Sequence, residues 1–257
     1  MAQIDKIAFF GDSYCYDTLA LQKDGFSKSG NHFRNPRFVG GEPPTEASYM
    51  DIFAERAGAT IVHNGVSGHG PNWMMYEFME WLKAKSQEEI NSTHFVFLWS
   101  DPGREIYKAD DTDKEHGENL IHLNERALMG PDAPMLDETD RFDPRVAQAI
   151  RLYWLYLKND KESYRIYDTT KLAWKYLIEQ YNIISYQQYH CFFHTAKHDK
   201  ESHMFTYKGK EHRCLFEFAH GHEDYAEDDS NYMNHFSPMG QISMADVCEQ
   251  AYRKIHG

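Results

Sequence analysis

Cysteine, long apolar runs and basic charge are all scarce in this chain, and each shortage narrows what it can be. The four cysteines, Cys15, Cys191, Cys214 and Cys248, are scattered and show no CxxC spacing. They read as reduced thiols in a cytoplasmic setting. There is neither an HExxH motif nor a Cys/His ladder, which argues against a zinc hydrolase. No stretch approaches the roughly 18 apolar residues of a membrane span. The opening MAQIDKIAFFGDS contains only the short apolar run IAFF, too short for the core of a secretory signal, so no signal peptide is expected. Lys and Arg number 27 against 40 Asp and Glu, a formal net charge of −13. Such a surface repels phosphate backbones and anionic lipid, so neither nucleic acid nor membrane is expected as a partner. No internal repeat is visible.

What is present is enough to fold. Hydrophobic residues make up 41% of the 257 and aromatics 15%, which suits a packed core and an aromatic-lined cleft. The length fits one α/β domain over 1–257 with an irregular insertion at about 101–142. Short apolar runs predict strands at 6–12, 59–66, 93–99, 182–189 and 213–218. Between them, helical periodicity predicts helices from Thr45 to about Gly58, from Pro71 to about Lys85, from Asp143 onward, over about 161–180 and from about Pro238 to Lys254. Residues 17–44 read as a long polar loop, and 190–212 are ambiguous. Strands alternating with helices imply a three-layer, doubly wound, flavodoxin-like fold. Its mostly parallel five-stranded sheet would carry helices on both faces.

In such sheets the chemistry gathers at the carboxyl ends of the strands. Three predicted strand ends carry unusual residues: Gly11-Asp12-Ser13, Gly65-Val66-Ser67-Gly68 and Ser100-Asp101. A histidine, His235, sits just before the last helix. A serine hydroxyl is a poor nucleophile at neutral pH and needs a base, and an imidazole titrates in the right range.

These segments resemble, in the expected order, the blocks of the SGNH (GDSL-type) hydrolase family. FFGDSYCYD is similar to the first block, whose serine is the nucleophile. SYMDIFAERAGATIVHNGVSGHG is similar to the helix, strand and second block that follow. NHFSPMGQISMADVCEQAY is similar to the last block, with its histidine, turn, glycine and helix. The resemblance spans nearly the whole chain. A GDS triplet alone is a weak signal, whereas the three blocks together are a strong one. The resemblance implies Ser13 as nucleophile, His235 as general base, and backbone N–H groups of Ser13 and Gly68 binding the oxyanion. It implies an esterase, lipase, thioesterase or deacetylase that needs no cofactor or metal.

Two departures stand out. The third block of the family reads Gly-x-Asn-Asp, and its asparagine donates to the oxyanion. Here the segment is VFLWSDPGRE, with Asp101 at the asparagine's place, and a carboxylate accepts rather than donates. Ser100, Arg104 or a backbone N–H must replace it. Loss of one such donor costs about 10²–10³ in rate. An active enzyme must also turn Asp101 away from the oxyanion. The family's aspartate three residues before the histidine is Tyr232 here. Asp229 is the preferred orienting acid, the alternative being a Ser-His dyad oriented by a backbone carbonyl.

Arg104, Trp99 and His69 are the candidates for substrate binding, with Trp73 a further cleft residue. Asp12 reads as a turn-stabilising carboxylate rather than a catalytic acid. His190, His194 and His198 have the spacing of one helical face and could bind zinc there, although surface or core histidines are the default. The leading expectation is a serine esterase acting on a small ester, such as an acetyl group on a carbohydrate. The rival is a non-catalytic SGNH-fold binding or structural module. SGNH-like proteins with degenerate blocks resemble some encoded by tailed phages, where the role and location would be those of a virion.

Overall fold

A computed structural model describes residues 4–12, 15, 47–65, 70–103, 105–108, 120–123, 152, 159–199, 204–220, 236 and 238–257. Its strands are β1 (Lys6–Phe10), β2 (Thr60–His63), β3 (Thr93–Trp99), β4 (Glu105–Lys108), β5 (Leu120–Leu123), β6 (Tyr186–His190), β7 (Phe205–Tyr207) and β8 (Lys210–His212). Its helices are α1 (Tyr49–Ala57), α2 (Pro71–Ala84), α3 (Gln87–Asn91), α4 (Asp160–Gln180), α5 (Phe193–His198), α6 (Leu215–His220) and α7 (Pro238–His256).

The central sheet is parallel and four-stranded, in the order β2-β1-β3-β6. Every residue of β3 is buried, as expected for a central strand covered on both faces. Alternation then sorts the strand side chains into two cores. Ile7, Phe9, Ile61, Val96, Leu98 and Tyr189 face α1 and α7. Ala8, Phe10, Phe95, Phe97 and Trp99 face α2, α3 and α4. On the first side Arg56 of α1 pairs with Asp246 of α7 at 2.6 Å. On the second, Thr170 of α4 donates to Asn72 of α2 at 2.7 Å.

Several expectations shift at their boundaries. Helix α1 begins after Ser48, where Ser48 and Asp51 form a capping box, rather than at Thr45. It ends as expected at Gly58, which takes the left-handed conformation (φ 66°). The segment 213–218, expected as a fifth strand, is not one. Cys214 stands at the N-cap position, its sulfur accepting the Glu217 N–H at 3.3 Å, while the Glu217 carboxylate accepts the Arg213 N–H at 2.7 Å. That reciprocal cap starts α6 in place of a strand. Within the expected insertion, β4 and β5 pair as an antiparallel ladder. The ambiguous stretch resolves into α5 and the β7–β8 ladder. The helix expected from Asp143 lies outside the described residues up to 158, apart from 152.

On the face of the sheet that carries α1 and α7, a polar chain links β6, the amino end of β3 and α7. Tyr189 Oη donates to Gln187 Oε1 at 2.6 Å. The Gln187 amide must therefore donate to His94 Nε2, 2.9 Å away. His94 Nδ1–H then donates to Ser185 Oγ at 2.8 Å. The Ser185 hydroxyl donates to His256 Nε2 at 2.8 Å. Burial, with a smaller push from His256, lowers the His94 pKa to about 3, so the ring is neutral.

Candidate functional site

The carboxyl edge of the sheet is organised around Asp12. This residue follows β1 by two positions and is fully buried, so its carboxylate must find partners inside the protein. Ser100, just past β3, donates its hydroxyl to Asp12 Oδ2 at 2.6 Å. Cys191, just past β6, directs its thiol to Asp12 Oδ1 at 3.6 Å. Cys15 closes the turn from the other side. Its N–H and its thiol both donate to the Asp12 carbonyl, at 3.0 and 3.4 Å. Burial raises the Cys15 pKa well above the usual thiol range, and the Asp12 charge raises it further. The sulfur therefore stays protonated and unreactive. All four cysteines are free and buried.

The end of β2 joins the same edge by close backbone approach. A Cβ added at Gly65 would stand 2.6 Å from the Gly11 carbonyl oxygen and would collide with Cys15 Sγ. One at Gly11 would stand 2.7 Å from Leu98 Cβ. Both positions need glycine for space rather than for φ. The convergence of the first three strand ends is thus read off Asp12, Gly65 and Ser100.

Ser13, Gly68, His69, Arg104, Asp229 and His235 lie outside the described residues. Their chain neighbours are described at four places, one of them the Gly103 and Glu105 that flank Arg104. Asp12 and Cys15 flank Ser13. Gly65 and Gly70 flank the segment with Gly68 and His69. Phe236 follows His235 and is buried, with its ring 6.0 Å from Tyr49 and 6.0 Å from Phe218. Tyr49 in turn packs edge-on against Phe9 of β1 at 6.0 Å.

Two candidates take roles other than those expected. Ser100 has one proton, and it is directed to Asp12 rather than to an oxyanion. Trp99 does not line a cleft. Its ring is fully buried between Tyr167 and Trp174, and its indole N–H donates to Gln188 Oε1 at 2.8 Å. An indole at the end of a strand buried on both faces points into the helical layer rather than out of the edge. Asp101 Oδ1 accepts the Gly103 N–H at 2.7 Å and so caps its own turn. Trp73 is half-buried at the start of α2, its indole N–H donating to Glu77 at 3.3 Å.

Beside this edge lies a charged cluster that the sequence did not signal. Lys171 of α4 is buried, with Nζ 3.0 Å from Asp199 Oδ2 and 3.0 Å from Gln188 Oε1, and 4.2 Å from the centre of the Trp99 ring. His190 Nε2 and Tyr167 Oη approach the same Asp199 oxygen at 3.5 and 3.4 Å. Burial first, then Asp199, raises the Tyr167 pKa, so the phenol stays protonated. The three histidines considered for zinc do not share a helical face. His190 ends β6, whereas His194 and His198 belong to α5, and His198 pairs with Asp168 at 2.8 Å. Among the described residues no three His, Cys, Asp or Glu side chains gather as metal ligands, and no helix is long and apolar enough to cross a membrane. Neither a family model nor a curated protein sequence matches the chain.

Proposed function

We infer that the chain is an SGNH-type serine hydrolase that cleaves a small ester, such as an acetyl ester on a carbohydrate, on a doubly wound fold. The reading rests on one observation above all. The segment resembling the first block is bonded at the carboxyl edge to the segment that stands in the third block's place, through Ser100 and Asp12 at 2.6 Å. The second block leaves β2 from the same edge, at Gly65. In this reading His235 takes the Ser13 proton, Ser13 attacks the ester carbonyl, and His235 returns the proton to the leaving alcohol before water releases the acid. Asp229 orients the imidazole. The oxyanion is held by backbone N–H groups of Ser13 and Gly68, since the Ser100 proton is directed to Asp12 and Asp101 accepts from Gly103. Arg104 and His69 contact the substrate. The protein acts in the cytoplasm or, if phage-encoded, in a virion, without nucleic acid or membrane as partner.

The second reading is a non-catalytic binding or structural module on the same scaffold. It is favoured by one feature, the third block, where neither the Ser100 nor the Asp101 side chain offers a donor to an oxyanion. A fluorophosphonate probe separates the two. Covalent labelling of the natural chain and none of Ser13→Ala is expected for the hydrolase. A natural chain that stays unlabelled while folded supports the module.

A further inference from the structure

We propose that Asp12 is a positioning residue that ties the chain on either side of Ser13, Asp12 itself and Cys15, to the ends of β3 and β6. The inference rests on Ser13 as the nucleophile. Burying a carboxylate is costly unless it is well bonded, and an apolar residue would fill a turn without that cost. What the carboxylate adds is direction. Its two oxygens accept from two different strand ends, Ser100 Oγ at 2.6 Å and Cys191 Sγ at 3.6 Å. Its main-chain oxygen accepts from the Cys15 N–H at 3.0 Å. The residue before Ser13 and the residue two after it are therefore both tied to this junction. The β3 end is tied in turn to α5, where Thr195 Oγ1 donates to the Ser100 carbonyl at 3.4 Å. A nucleophile misplaced by about 1 Å loses about a hundredfold in rate, so the junction acts on the reaction through geometry, without touching the substrate.

The test uses the full chain and two readouts: the rate at which a fluorophosphonate labels Ser13, and iodoacetamide alkylation mapped by peptide mass spectrometry. Cys15 and Cys191 sit at the junction, and Cys248 in α7 is the control. Ser100→Ala should label about 10- to 100-fold more slowly. It should also alkylate Cys15 and Cys191 about tenfold faster or more while Cys248 stays protected. Ser100→Thr keeps the hydroxyl and should label within about threefold of the natural chain. Asp12→Asn keeps an acceptor for Ser100 but not the charge, and should fall between the two. Unchanged labelling in Ser100→Ala overturns the proposal, as does Cys248 opening in step with Cys15 in both Ser100→Ala and Asp12→Asn. If the natural chain is not labelled at all, the nucleophile reading fails instead, and protection of Cys15 and Cys191 still decides whether Asp12 holds the turn.

Discussion

At the carboxyl edge of the sheet the buried polar centre is a carboxylate, Asp12, held by a hydroxyl and a thiol from two other strand ends. At the amino edge it is an imidazole, His94, held neutral in a chain of bonds running from Tyr189 to His256. Both centres are excluded from water, yet they respond to opposite stresses. The carboxylate junction depends on partners that donate, and the imidazole chain depends on a ring that does not take up a proton. The difference shows where this scaffold keeps ionisable chemistry: at the strand ends that carry the candidate nucleophile, with Lys171 and Asp199 close by, and away from the opposite edge.

The largest expected effect comes from breaking the charged side of that contrast. Lys171→Ala removes the buried lysine from the largely enclosed Asp199 carboxylate and should destabilise the fold by about 3 kcal/mol in urea unfolding. The double variant Lys171→Ala/Asp199→Ala should lose less than the two single losses together. A loss under about 1 kcal/mol for the single variant would mean that the pair is solvated rather than buried.

Acid attacks the neutral side. The folded-state pKa of His94 is about 3, below the value of about 6.5 in the unfolded chain. The folded state binds fewer protons, so this contribution is complete above about pH 6.5 and is lost as pH falls toward 3. The slope is about 1.4 kcal/mol per pH unit, or about 2–3 kcal/mol by pH 4.5. His94→Gln should flatten that part of the stability profile. Identical profiles for the two proteins would show that the imidazole is protonated in the folded state.

Sterics sharpen the comparison further. Gly65→Ala should cost about 1–3 kcal/mol, because its Cβ meets Cys15 and the Gly11 carbonyl. Gly58→Ala, with open space around it but a left-handed backbone, should cost about 1 kcal/mol. Thermal unfolding that ranks Gly58→Ala as the worse of the two would mean that the β1 and β2 ends are not in close contact. Smallest of all, Ser48→Ala removes the α1 cap and should cost about 1 kcal/mol with no change in Cys15 protection. Exposure of Cys15 in that variant would show that the carboxyl edge is not an independent unit.

The sheet was legible because its strands are short apolar runs bounded by Gly, Pro or polar residues. Lys6–Phe10 and Thr93–Trp99 were read close to their true limits for that reason. RCLFEF was misread because a short apolar run suits a buried strand or a helix equally, and its cap uses a cysteine sulfur, which is not among the usual capping signals. NIISYQQY starts later than read because Asn182 takes a positive φ of 49°, placing a turn where the apolar residues begin. At the site, convergence of the strand ends followed from the strand-end rule. The Asp12–Ser100–Cys191 junction did not, since one buried Asp and two small polar residues far apart in sequence carry no spacing pattern. Trp99 was misplaced because a terminal strand residue reads as an edge residue, whereas its alternation phase assigns it to the layer of Phe95 and Phe97. The Lys171–Asp199 pair was invisible because both residues are normally surface types.

The strand order carries a consequence for how the chain reaches this state. Lys6 lies opposite both Thr60 and Thr93, and Phe95 lies opposite Tyr186. Every neighbour in the central sheet is therefore remote along the chain, and closing each pair costs loop entropy before any ladder bond forms. During synthesis β1 emerges before β3 and cannot be enclosed until β3 follows, and β3 is unenclosed on its far side until β6 arrives. Phe95, Val96, Phe97 and Leu98 spend that interval without their eventual neighbour on β6, an apolar edge open to premature pairing between chains.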